Sequence, residues 1–127
     1  MLPRENRLKK MKDIEILFKK GQFFAGRGVS MQLWQIDTSL YPKRNYNTNQ
    51  LKINAIVSKK TDKRAVIRNR KKRQIREICR LLLKEDKIKN GYFLSFLAGP
   101  KSLDQDYHEI KENIVFLLNK AGIYKSS

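Results

Sequence analysis

From Lys59 to Leu83 the chain reads KKTDKRAVIRNRKKRQIREICRLLL, and this run constrains the fold more than any other. On a helix, residues three and four apart share a face. Ile75, Ile78, Cys79 and Leu82 then form one apolar stripe. Asn69, Lys72, Arg73, Arg76 and Arg80 form a second stripe, centred about a third of a turn away. One side of such a helix packs on a core while the adjoining side presents cations. Between Arg64 and Arg80 the one acid is Glu77, set against Arg64, Arg68, Arg70, Lys71, Lys72, Arg73, Arg76 and Arg80. A merely solvated helix mixes signs to gain i,i+4 pairs; this one repels itself and needs a polyanion. Arginine's planar fork suits phosphates and base edges, so nucleic acid is the expected partner.

Net charge carries the same message over the whole chain. A formal charge of +17 on 127 residues opposes compaction unless an anionic partner offsets it. An acidic membrane is the competing polyanion. Against it, the chain has no apolar run of about 18 residues and no aromatic insertion face opposite the basic one. A chain of this length reads as one domain, 1–127, with residues 1–9 and 123–127 expected to be loosely held. The single cysteine, Cys79, fits a reducing compartment. No signal-peptide pattern opens the chain, which makes the cytoplasm the expectation.

Hydrophobic periodicity places the other elements. Met11, Ile14, Leu17 and Phe18 mark a short helix that Gly21 ends at the C′ position. Gln22 to Gly28 reads as a loop with Phe23 and Phe24 exposed. Val29 to Ile36 alternates as a half-buried strand, with Gln32 and Trp34 on its second face. Asp37 to Gln50 is a long connection with room for a short extra strand. Leu51 to Ser58 alternates again, and the basic helix follows. Tyr92 to Ala98 is nearly all apolar between Asn90-Gly91 and Gly99-Pro100, as in a buried central strand. Ser102 and Gln105 suggest a capping box before a last helix that Gly122 ends. The order α-β-β(-β)-α-β-α predicts an α+β two-layer sandwich: three helices and a small, mixed, mostly antiparallel sheet of about four strands. Helices cover one side of this sheet and the other stays partly open.

The residues needed for hydrolysis are missing from this pattern. A protein nuclease uses clustered carboxylates with metal, or a histidine acid/base pair. His108 is the one histidine and reads as a surface residue of the last helix. No zinc spacing, P-loop or nucleophile elbow is present. Cys79 reads as a small buried hydrophobe. The chain is expected to bind, with no catalytic residue and no metal site of its own. Phe18 reads equally as core or as a stacking face, Ile14 as core, and Trp34 as a strand aromatic packed beneath a loop or free to stack a base.

The run Arg68-Asn69-Arg70-Lys71-Lys72-Arg73-Gln74-Ile75-Arg76-Glu77, preceded by Ser58-Lys59-Lys60 and Ala65-Val66, resembles the signature of the bacterial ribonuclease P protein subunit. Leu8-Lys9-Lys10, Asp13 and Phe18-Lys19-Lys20-Gly21 are similar to that family's first helix. The resemblance implies a left-handed βαβ crossover, where strand twist alone favours a right-handed one. It also implies an accessory protein of an endoribonuclease that removes the 5′ leader of precursor tRNA, with catalytic groups and Mg2+ in the RNA subunit. Carried over, Lys59, Lys60, Arg68, Asn69, Arg70, Lys72, Arg73 and Arg76 contact the RNA subunit. Ile14, Phe18, Gln32 and Trp34 flank a cleft for the leader. The chain departs from the pattern at Lys71, where an apolar residue is usual, and at Gln32, where an aromatic is common. Thr61-Asp62-Lys63-Arg64 also replaces a shorter glycine-containing turn. The alternative is a structural ribosomal or other RNA-packing protein. A DNA regulator is disfavoured because two strands, with no positioning helix, precede the basic helix.

Overall fold

The structure is a computed structural model that describes residues 2–39 and 46–125. Helix α1 spans Met11–Lys20, and strand β1, Gln22–Phe24, follows after one residue. Strands β2, Val29–Gln35, and β3, Leu51–Val57, lead into the long helix α2, Ala65–Lys84. Strand β4, Tyr92–Ala98, a short 3-10 turn at Pro100–Asp104 and helix α3, Tyr107–Lys120, complete the chain. The sheet order is β1-β2-β4-β3, antiparallel except for the parallel β3–β4 pair. Helix α2 therefore sits in a βαβ unit, and β4, the most apolar strand, lies between two others as its composition requires.

Register assigns each residue a face. Rows such as Phe24–Met31–Phe96–Ala55 and Val29–Ala98–Val57 point to one side. There they meet Ile75, Ile78, Cys79 and Leu82 of α2 and Ile110, Ile114, Leu117 and Leu118 of α3 in the main core. The apolar stripe read from sequence is thus the buried one. On the opposite side α1 lays Ile16 and Leu17 over Trp34 and Phe93, with Leu8 and Ile36, as a second, smaller cluster. This helix covers only one end of that face.

Several local expectations are corrected. The extra strand is not in the described part of 37–50 but at Gln22–Phe24, where a loop was expected; residues 40–45 lie outside the described residues. Phe23 is exposed as expected, whereas Phe24 packs against the core. Gly21 ends α1 with φ of −81°, so its role is close approach rather than a left-handed turn. A Cβ there would stand 2.3 Å from the Leu17 carbonyl oxygen and 2.5 Å from that of Leu33. The capping box of α3 is formed by Asp106 and Glu109, each side chain accepting from the other's backbone N–H, and not by Ser102 and Gln105.

The N-terminal segment, expected to be loose, is docked. Leu2 and Leu8 are buried, Leu8 N–H donates to the Ile53 carbonyl at 3.0 Å, and Asn6 Nδ2 donates to that of Leu51 at 2.7 Å. Through the Arg7–Ile53 bridge the segment covers the β3 edge, which would otherwise expose unpaired backbone. At the other end Ile123 is buried and Tyr124 bridges to Ile88; residues 126–127 lie outside the described residues.

Candidate nucleic-acid interface

Helix α2 begins from a turn that its own arginines hold. Asp62 accepts the Arg64 backbone N–H at 2.8 Å and both ends of the Arg64 guanidinium at 3.0 and 2.8 Å. Those bonds pull the Asp62 carboxyl down from 3.8 to about 2. Arg68 Nη1 donates to the carbonyl oxygens of Asp62 and Lys63 at 3.0 and 2.7 Å. Thr61 Oγ1 ties the same turn to the Ala98 carbonyl at the end of β4, at 3.1 Å. Arg68, expected among the RNA contacts, thus also positions the start of the helix.

Beyond this turn the cations project outward. Asn69, Arg70, Arg73 and Arg76 are exposed and Lys72 is half-buried on the flank. Glu77 is engaged by Arg80, whose Nε and Nη2 donate at 3.0 and 2.6 Å. That pairing holds the Glu77 carboxyl below its ordinary value, and Arg70, Arg73 and Arg76 have no ion pair among the described residues. The first turn of α2 contains no acid, so the positive end of the helix dipole adds to the local potential instead of being neutralised. Lys59 and Lys60 stand exposed on the turn between β3 and α2. A groove of about 600 Å³ runs beside the helix along the docked N-terminal segment, with Arg7, Lys9, Arg73 and Arg76 on its walls and Leu2, Leu8 and Ile53 among its lining.

Lys71 is the exception on this helix. It is 8% exposed, and its Nζ donates to Gln74 Oε1 at 2.9 Å and to the Gln105 carbonyl at 3.3 Å. The segment before α3 folds over the ammonium, and desolvation lowers its pKa. Cys79, wholly buried, has its thiol pushed up to about 12 by the same effect and is inert as a ligand or nucleophile.

The residues expected at the leader cleft gather around α1 and β2, but Trp34 and Gln32 are buried there. Trp34 is 4% exposed, with Tyr46 edge-on at 5.7 Å and Phe93 at 5.3 Å between ring centroids, and has no free face to stack a base. Phe93 is its cross-strand partner and Tyr46 arrives from the long connection, so a non-local cluster claims the indole. Gln32 is 7% exposed and its Nε2 donates to the Leu17 carbonyl at 3.3 Å, tying α1 to the sheet. Ile14 is half-buried against the smaller cluster, as a core reading predicts. Phe18, one turn further on, is 43% exposed.

The uncovered part of this face lies elsewhere. Phe23, Gln32, Ser95 and Asn54 form one cross-strand row, and Ser30, Leu97 and Ile56 the next. The second row is half-buried and not roofed by α1. Ser95 Oγ and Asn54 Oδ1 have no hydrogen-bond partner among the described residues. Alternation alone puts Ser30 on the face of Gln32 and Trp34, and Ile56 on the outward face of its strand; that they join Leu97 in one surface follows only from the register. Among the described residues no three His, Cys, Asp or Glu side chains form a potential metal cluster, and His108 lies exposed on α3. Among the described residues no helix is long and apolar enough to cross a membrane.

A cationic helix packed on one side of an open sheet, with a half-apolar, aromatic-rimmed surface on the other, is the layout of an RNA-binding α+β protein. A family model described as Ribonuclease P matches residues 2–122. The chain is 36% identical over 121 residues to the ribonuclease P protein component of Clostridium botulinum (strain 657 / Type Ba4), covering 95% of this chain and 98% of that one. It is 32% identical over 123 residues to that of Pseudanabaena sp., covering 97% of each. The RNase P protein from Staphylococcus aureus has the same fold, with a TM-score of 0.74 at 24% identity over 100% of this chain and 97% of that one. The protein from Thermotoga maritima gives 0.69 at 20% identity, over 90% and 96%. The chain belongs to the ribonuclease P protein component family. Its place is in the ribonucleoprotein that processes tRNA 5′ ends, with the catalytic activity in the RNA.

Proposed function

We propose that this chain bridges the RNA subunit and the precursor tRNA, one on each side of its sheet, in the cytoplasm. The exposed face of α2, with Asn69, Arg70, Lys72, Arg73 and Arg76, and the turn bearing Lys59 and Lys60, dock the RNA subunit. Phosphates meet guanidinium forks and the unneutralised helix start. The uncovered sheet face beside α1 takes the single-stranded 5′ leader, with Phe18 at its rim as a stacking surface. Gln32 and Trp34 support this surface from beneath and do not touch RNA. The magnesium ions of the reaction belong to the RNA subunit, and no bond-breaking step falls to a side chain of this chain.

One observation carries this reading: α2 packs on one side of the sheet and the open half-apolar face lies on the other, with Arg73, Arg76 and Asn54 lining one groove at the β3 edge between them, so two RNA elements can be held at once. An RNA-packing protein needs only the first surface. The test is to reconstitute the chain with its RNA subunit and compare affinity for a precursor bearing a leader with affinity for mature tRNA. The protein is expected to tighten precursor binding selectively, and Phe18→Ala to remove about tenfold of that selectivity, the worth of one stacked base. Equal tightening of both ligands, unaffected by Phe18→Ala, would return the chain to the packing alternative.

A further inference from the structure

We infer that Phe23 is a second stacking platform for single-stranded RNA, seated at the open end of the sheet; the inference rests on the leader reading above. Phe23 is 61% exposed on the same sheet face as its register partner Gln32, and lies beside Ser30 and Leu97 at the end of that face. It lines a groove of about 400 Å³ together with Ser30, Leu97, Ser58, Thr61 and Lys101. Leu97 and Ser30 give this groove a half-apolar floor, and Lys101 closes one wall. The nearby acid in sequence, Asp62, is occupied by Arg64 and does not oppose an anion.

These features select a nucleotide over a protein segment. An aromatic plane with Lys101 in the same groove offers a base its face and a phosphate its charge, without reading sequence. Strand addition at the same edge is disfavoured, because β1 is only three residues long. In the chain Phe18 and Phe23 flank Gly21, whose backbone is pressed so closely on the Leu33 carbonyl that no Cβ fits. The ring of Trp34 plays no part, since it is buried.

The test uses the reconstituted holoenzyme and a series of precursor tRNAs whose leaders lengthen by single nucleotides. Phe23→Ala is expected to weaken binding about tenfold once the leader reaches a threshold length, and to leave shorter precursors and RNA-subunit affinity unchanged. Phe23→Trp restores binding. Phe18→Ala shows its own threshold at a different length. Phe116→Ala, which removes an exposed aromatic on α3, changes neither. Loss at every length, or for mature tRNA as well, would make Phe23 structural and overturn the inference. So would wild-type behaviour of Phe23→Ala at all lengths while Phe18→Ala still discriminates, which leaves the leader reading standing. If neither variant senses the leader, both fall together.

Discussion

A lysine inside a helix–sheet core is costly unless its ammonium finds oxygen, and Lys71 finds two acceptors, Gln74 Oε1 and the Gln105 carbonyl. Desolvation nevertheless lowers its pKa from 10.5. The native state then releases this proton at a lower pH than the unfolded chain does. In the window between the lowered value and 10.5 the unfolded state binds more protons, so stability rises with pH there. The difference in melting temperature between Lys71→Met and the parent chain is accordingly expected to shift in the parent's favour as pH is raised from neutral toward 10.5. A difference that stays constant with pH would mean that the ammonium is solvated after all. That Lys71 borders the buried stripe is legible from spacing alone. What covers it is not, because Gln105 comes from a segment 34 residues away.

At the scale of the element, α2 is the part most fully written in its own sequence. The buried Ile75, Ile78, Cys79 and Leu82 and the exposed Asn69, Arg73 and Arg76 follow from one period and one composition. Its arginines are nonetheless of three kinds: Arg68 holds the preceding turn, Arg80 neutralises Glu77, and Arg73 and Arg76 have no such partner among the described residues. About six phosphate contacts give RNA binding a log–log salt slope of roughly −4 to −5. Arg73→Ala is expected to weaken RNA-subunit binding and to flatten that slope by about one unit. Arg80→Ala is expected to leave the slope nearly unchanged, since that charge is already spent on Glu77. Equal slopes for parent and Arg73→Ala would remove Arg73 from the phosphate contacts. Such a division among like residues depends on hydrogen-bond partners that no periodicity shows. The same limit applies to α1, where Met11 and Phe18 belong to the apolar pattern yet stand exposed.

Over the whole molecule, the order of elements and the central place of β4 were legible, since a strand apolar on both faces must be covered on both. The second surface was less so. Whether Trp34 is packed beneath a loop or free stayed open in the sequence because its register partner Phe93 and the Tyr46 ring are distant along the chain. Phe23 looked like loop because three residues are too few to show alternation. Both outcomes follow from how four strands align, a non-local property that decides which side chains α1 roofs and which it leaves open. The result is a sheet with a cationic helix behind it and an open face before it. Since Cys79 is buried and its thiol is raised to about 12, a cysteine introduced at the surface can be labelled selectively in the native protein. The most direct test attaches a hydroxyl-radical source to Arg70→Cys on α2 or to Ser30→Cys on the open face, then maps strand cleavage in the holoenzyme bound to precursor tRNA. Cuts in the RNA subunit from Arg70→Cys and in the 5′ leader from Ser30→Cys are the predicted result; leader cuts from Arg70→Cys, or none in the leader from Ser30→Cys, would contradict it.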